Sequence, residues 1–192
     1  MFLPDHKKQQ KIESKERILN VASRLFKKNG FSSTGIDQVM AEAGLTSGGF
    51  YAHFESKTDL LEQVIEHSFK FSKQLLMKDI EHLPAEEKIQ TVMSRYVSIL
   101  HRDLPEKGCI IPSLASEIYR GTKKSNQLVG EHINMWSDFL TEHLAGEYSE
   151  IEKKQMALKM ISQAVGAVLL SRMLKETELS GEIIDAATPT IV

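Results

Sequence analysis

A single cysteine, Cys109, stands in the whole chain. One thiol cannot close an internal disulfide, so a small secreted fold stapled by cystines is excluded. Proline is scarce and falls only at positions 4, 84, 105, 112 and 189. Because proline interrupts helices, the intervals between those positions leave room for long ones. No long hydrophobic run exists either. The most apolar stretch, 156–170, is 15 residues long and carries Lys159, Ser162 and Gln163. A membrane-spanning helix needs roughly 20 apolar residues, so a span is not expected. The start, Met1 to Lys8, lacks the apolar core of a secretory signal, and a cytoplasmic location is expected. Clean apolar alternation is missing throughout, which argues against strands. The seven histidines are scattered. There is no HExxH pair, no paired-cysteine metal spacing and no glycine loop in a phosphate-cradling context. Neither an enzyme nor a metal or other cofactor is expected.

The chain does hold enough apolar material for a core: 192 residues, 41% hydrophobic and 26% charged. The formal net charge is only −2, yet it is unevenly spread. Residues 1–28 carry eight basic side chains (Lys7, Lys8, Lys11, Lys15, Arg17, Arg24, Lys27, Lys28) against Asp5, Glu13 and Glu16. That asymmetry permits a nucleic-acid contact at one end, although lysine-rich helix ends are common in any protein.

The apolar spacing predicts about nine helices and an all-α fold. Ile18, Leu19, Ala22, Leu25 and Phe26 share one face of a first helix over 15–29, with Gly30 closing it. A short second helix follows, capped by Thr34 with Asp37 at capping-box spacing. Gly44-Leu45 makes a turn, and a third helix runs 47–54 behind Thr46. A long fourth helix is expected over 56–82, begun by Ser56 with Asp59. The rest reads as helices over 86–101, 112–121, 125–144 and 150–174, with a last one from about Ser180.

The second and third helices, with a glycine turn between them, have helix-turn-helix spacing. Asp37 and Asp59 stand at the third position of the neighbouring helices, where the third helix has Gly49. Its N-terminus is therefore left positive and open to phosphate. Two glycines in one short helix each cost about 1 kcal/mol relative to alanine, which suits a backbone that must approach a partner closely. Tyr51 and His53 lie off the Phe50/Phe54 face and point to solvent as phosphate donors, and Lys57 opens the next helix. A plain helical packing module over 15–60 fits the same spacing.

The segment Gly-Phe-Ser-Ser-Thr (30–34), the Ala43-Gly44 turn, Tyr51-Ala52-His53-Phe54 and Ser56-Lys57 resemble the DNA-binding domain of the TetR family of transcriptional regulators. Upstream Arg17-Ile18-Leu19, Ala22 and Leu25-Phe26 fit the same pattern, so the likeness covers about 12–62. The resemblance implies an all-helical homodimeric repressor of a palindromic double-stranded operator. A DNA-binding domain would occupy 12–58, and a regulatory domain for ligand binding and dimerisation 59–192. By position, Thr34, Tyr51, His53 and Lys57 match phosphate contacts; Thr46, Ser47, Gly48, Gly49 and Ala52 match the groove-facing part. Arg, Asn and Gln, the bidentate base readers, are absent from 46–54. Specificity is therefore expected to lean on backbone contacts, Tyr51 and DNA shape.

In the C-terminal part the resemblance implies a four-helix dimer bundle from the last two helices of each subunit. Ala164, Gly166, Ala167, Val168 and Leu169 fit that contact; they fit a central core helix as well. A pocket for an unidentified small-molecule inducer is expected among Phe69, Met77, Met93, Tyr96, Tyr119, Met135, Trp136, Phe139 and Met160, adaptable apolar side chains of which any one also suits plain core. Cys109, close after Lys107, offers an alternative as a redox or electrophile sensor. A helical ligand-binding protein without operator binding is the other alternative.

Overall fold

In the computed structural model, residues 6–189 are described, and every regular element among them is helical. The nine α-helices are α1 (His6–Asn29), α2 (Ile36–Glu42), α3 (Lys57–Leu76), α4 (Ala85–Tyr96), α5 (Ile99–Asp103), α6 (Ile111–Tyr119), α7 (Lys123–His143), α8 (Glu150–Met173) and α9 (Glu178–Ala187). Short 3-10 segments occupy Ser47–Ala52 and Pro105–Lys107.

The N-terminal unit closes around Ile18, Ala22, Leu25 and Phe26 of α1, Val39 and Met40 of α2, and the Phe50/Phe54 pair. Those two rings stack with centroids 5.5 Å apart. Leu60, Leu61, Val64 and Ile65 of α3 complete this core, and so do Cys109, Ile110, Leu114 and Ile118 from the far part of the chain. The C-terminal end of α3 belongs elsewhere, with Leu76 packing on Ile80 and Val92. The remaining core joins Ile89 and Met93 of α4, Leu140 of α7, Ala157, Ala164 and Ala167 of α8, and Ile184 of α9.

Several boundaries differ from expectation. α1 begins at His6 rather than 15, because its first turns need no buried face: they are exposed and supported by pairs such as Gln9 to Glu13 (3.0 Å). Thr34 does not cap α2. The N-cap is Gly35, without a side-chain cap bond, and Thr34 Oγ1 donates back to the Gly30 carbonyl at 2.8 Å. The third helix is a six-residue 3-10 segment, and Thr46 makes no side-chain cap there. So short a segment carries little aligned dipole, and the open positive helix end expected from Gly49 is not built. Ser56 does cap α3, accepting from Asp59 N at 3.0 Å. α3 stops at Leu76, with Asp79 taking a left-handed φ of 55° just beyond. The helix expected over 86–101 breaks at Val97, where Ser98 accepts from His101 N at 3.1 Å and starts α5.

Three of the residues expected at the dimer contact face inward in the subunit. Ala164, Ala167 and Val168 are buried within the subunit, since their face of α8 turns inward to the core. Gly166 is half-buried, and Leu169 is exposed. The outward face of α8 instead carries exposed Ile151, Leu158, Leu169 and Met173, in helical register, next to exposed Leu179 of α9.

Candidate nucleic-acid interface

The turn between α2 and the 3-10 segment needs Gly44, whose φ is +70°. It delivers Thr46, Ser47, Gly48, Tyr51 and Ala52 to solvent, while Phe50 is fully buried beneath them. Tyr51 is 71% exposed, its ring edge-on to Phe50. A Cβ on Gly48 would meet nothing within 4 Å, and one on Gly49 would only reach ordinary contact with Met40 and Thr46. Neither glycine has a positive φ. The subunit's own packing therefore asks for neither.

His53 is half-buried, and its Nδ1 is buried without a hydrogen-bond partner. Burial lowers its pKa, with Lys11 and Lys15 adding to the effect. Lys15 Nζ also lies 5.7 Å from the centre of the Phe54 ring. Lys11 and Lys15 of α1 thus form a basic strip beside His53 and Phe54, just past the end of the 3-10 segment. The charge excess of 1–28 was the only sequence sign of this strip.

Two expected phosphate contacts are otherwise engaged. Thr34 is fully buried with its hydroxyl committed to Gly30, so it offers nothing to a phosphate. Lys57 is half-buried; its Nζ sits 3.4 Å from the Ser32 carbonyl and 4.4 Å from the centre of the Phe31 ring. Burial lowers its pKa, against the pull of Glu117. Glu117, which sequence reasoning missed, accepts from Phe31 N at 2.9 Å and Ser32 N at 2.7 Å. Burial would raise its pKa, but these bonds and Lys57 bring the net shift down.

Behind this surface lie two cavities that share Tyr96 and Cys109 in their linings. The smaller, about 40 Å³, includes Met93, Tyr96 and Trp136 of the expected pocket. The larger, about 210 Å³, lies between the end of α3, α4, α5 and the 104–109 segment, and takes only Tyr96 from that set. The other expected pocket residues line neither cavity. Phe69 stacks on His132, ring centres 3.5 Å apart. Trp136 Nε1 donates to His132 Nε2 at 2.5 Å, and burial brings that histidine's pKa down to about 4. Met77, Phe139 and Met160 are packing residues of the two C-terminal cores. Tyr119 is 78% exposed at the end of α6, and Met135 faces outward beside Lys73.

Cys109 is buried, and burial pushes its thiol pKa up. A sensing thiol needs a lowered pKa and access, so the redox reading loses its physical basis.

Comparison with known proteins agrees with this architecture. The family model described as "Bacterial regulatory proteins, tetR family" matches residues 18–64, and that described as "Tetracyclin repressor-like, C-terminal domain" matches residues 85–187. The HTH-type transcriptional regulator YerO of Bacillus subtilis is 34% identical over 105 residues, 55% of this chain and 36% of that protein. YxaF of Bacillus subtilis, also an HTH-type transcriptional regulator, is 26% identical over 162 residues, 83% of this chain and 85% of that one. The solved structure of a TetR transcriptional regulator from Legionella pneumophila shares the fold, with a TM-score of 0.73, 24% identity and 97% of each chain covered.

Proposed function

The chain belongs to the TetR family of bacterial regulatory proteins, and from that membership we propose that it acts as a homodimer which represses transcription at a palindromic operator and releases it on binding a small molecule. The family is one of DNA-binding helix-turn-helix transcriptional regulators, not of enzymes. The observation that supports DNA contact at this segment is the pair Gly48 and Gly49, exposed or half-exposed glycines that no intramolecular contact requires. Their use lies outside the subunit, where a backbone lies flat against another surface.

In this reading Thr46, Ser47, Gly48, Gly49 and Ala52 face the major groove, and Tyr51 and His53 hold phosphates. Lys8, Lys11 and Lys15 extend the phosphate contacts along α1. Thr34 leaves the set, and Lys57 becomes the residue that positions the 31–32 turn. The DNA-binding domain takes 12–58, with Lys8 and Lys11 of α1 just ahead of it, and the regulatory domain 59–192, in a cytoplasmic protein. The exposed stripe of Ile151, Leu158, Leu169 and Met173 on α8, with Leu179 of α9, is the dimer face. A two-fold dimer would hold the two 3-10 segments about 34 Å apart, one duplex turn.

Two cross-connections support transmission from the ligand site. Lys27 of α1 donates to the Gly108 carbonyl at 3.1 Å, and Glu117 of α6 holds the Phe31 and Ser32 amides. Both anchors lie in the 108–117 stretch, whose Gly108, Cys109 and Ile111 line the cavities. α3 runs in parallel, from Lys57 at the interface to Leu76 at the larger cavity. A ligand acts only through its different affinity for the two arrangements of this frame.

Fluorescence anisotropy with duplexes flanking the gene, beside a scrambled duplex at two salt concentrations, tests the proposal. Tight, selective binding with a steep salt dependence is expected. Absence of binding at low salt, after refolding to strip any ligand, would favour a ligand-binding protein without operator binding.

A further inference from the structure

The larger cavity, about 210 Å³, exceeds the roughly 150 Å³ that holds a benzene ring in an engineered protein core. Its lining is mostly apolar, and three of its residues, Phe71, Leu75 and Leu100, are themselves exposed at the rim. An apolar rim on an open cavity suits a ligand whose body reaches out past the mouth.

The polar groups of the lining divide sharply. His101 has nothing left to offer. Its Nδ1 donates to the Tyr96 carbonyl at 2.6 Å and its Nε2 accepts from Cys109 N at 2.9 Å, which requires a neutral ring. Arg95 spends Nη1 on the carbonyls of Leu76 and Lys78. Besides the exposed ammonium of Lys107, two hydroxyls remain: Ser72 Oγ, buried without a hydrogen-bond partner, and Tyr96 Oη, buried with only the Cys109 thiol, a weak acceptor, beside it. Buried hydroxyls are costly to leave unpaired or poorly paired, so both would gain from an oxygen partner.

The charge around that end is positive. Behind the wall, Lys27 holds the Gly108 carbonyl, and Arg172 holds the carbonyls of His101 and Arg102 and the Ser113 hydroxyl. Both cations act on Cys109; Glu106 is the acid that acts on both of them. The lining itself contains no carboxylate.

We infer that this cavity binds a single-headed amphiphile, its oxygen-acid head on Ser72 and Tyr96 and its apolar body leaving past Phe71, Leu75 and Leu100. The inference rests on the reading of the chain as a ligand-released regulator and supplies the chemical class of that ligand.

Isothermal titration of the full chain, without DNA, with decanoate, 1-decanol and decyltrimethylammonium at equal chain length tests it. Decanoate is expected to bind once per subunit, decanol about tenfold more weakly and the cation not at all. Ser72→Ala and Tyr96→Phe are each expected to weaken decanoate about five- to tenfold. Circular dichroism checks folding, and Ser72→Ala stands alone should Tyr96→Phe misfold. Equal binding of the cation, or decanoate affinity unmoved in the folded variants, would overturn the inference. So would selective operator binding by a protein that takes up none of the three probes, a result that leaves the regulator reading intact. Conversely, decanoate binding by a protein with no operator affinity would support the site and sink the regulator.

Discussion

Lys27 Nζ donates a 3.1 Å hydrogen bond to the carbonyl of Gly108, joining the last turn of α1 to a segment 81 residues away. The lysine is buried, and burial lowers its pKa from 10.5 to about 8. Between those values the unfolded chain holds more protons than the folded one, so this residue makes stability rise as pH goes from about 8 to 10.5. Cys109 acts in the opposite sense, since its raised thiol pKa lets the unfolded chain lose a proton first. The test is therefore comparative. Urea unfolding at pH 7.5, 9 and 10 should show the parent gaining stability relative to Lys27→Met, which keeps the buried stem. Parallel pH curves for the two proteins would contradict the buried ammonium.

Glu117 is expected to matter for both stability and transmission. Glu117→Ala strips the Phe31 and Ser32 amides of their acceptor and releases Lys57 from its acidic neighbour. A loss of about 1–2 kcal/mol is expected in chemical unfolding. The net pKa of this carboxylate is lowered, so its contribution is present above the ordinary carboxylate range and lost as pH falls through the folded value. Operator affinity should also weaken, because the 31–32 turn leads directly into α2. A variant equally stable at pH 7 and pH 3.5 relative to the parent would show that the clamp contributes nothing.

Gly108 should tolerate no side chain. A Cβ there would run into the His101 ring, which is itself fixed by hydrogen bonds to Tyr96 and Cys109. Gly108→Ala must displace that ring and break those bonds, for an expected loss of about 2 kcal/mol or more. Thermal unfolding measures it directly, and a variant with the parent's midpoint would show that His101 moves freely.

The all-helical class, the Phe50/Phe54 core and the glycine turn were legible because buried periodicity and positive-φ glycines leave marks in a sequence. The first turns of α1 left none, since Lys8, Lys11 and their neighbours bury nothing. The break at Val97 was hidden because Ser98 is an unremarkable residue until His101 N needs an acceptor. α8 is apolar on both faces, so periodicity cannot say which side turns inward, and Ala164 and Ala167 fit a dimer contact and a core helix equally well. Glu117 and Lys27 were unreadable for another reason: their partners are backbone groups more than eighty residues distant.

Gly48→Ala separates a structural glycine from a functional one. The added methyl meets nothing within the chain, and the backbone is not left-handed. Stability should be unchanged or rise by up to about 1 kcal/mol. DNA affinity should nevertheless fall about tenfold if a groove wall lies against this residue, and Lys11→Gln should instead reduce the salt slope by about 1 while weakening all duplexes alike. Unchanged affinity in Gly48→Ala would remove the observation on which the DNA-facing assignment chiefly stands.

Leu169 and Ala164 lie five residues apart on α8 and should respond to mutation in opposite ways. Leu169 is exposed with Ile151, Leu158 and Met173, whereas Ala164 is 3% exposed and packs inside the C-terminal core. Leu169→Glu places a charge at the centre of the proposed dimer face, where an unpaired buried charge is strongly disfavoured. Light scattering at micromolar concentration should show dimer turning to monomer, with helical content retained and operator affinity lost because one half-site remains per molecule. Ala164→Leu should keep the parent's assembly but cost about 1–3 kcal/mol by overpacking. Were Leu169→Glu to stay dimeric while Ala164→Leu dissociated, the outer face of α8 would not be the interface, and the inward residues would have to be.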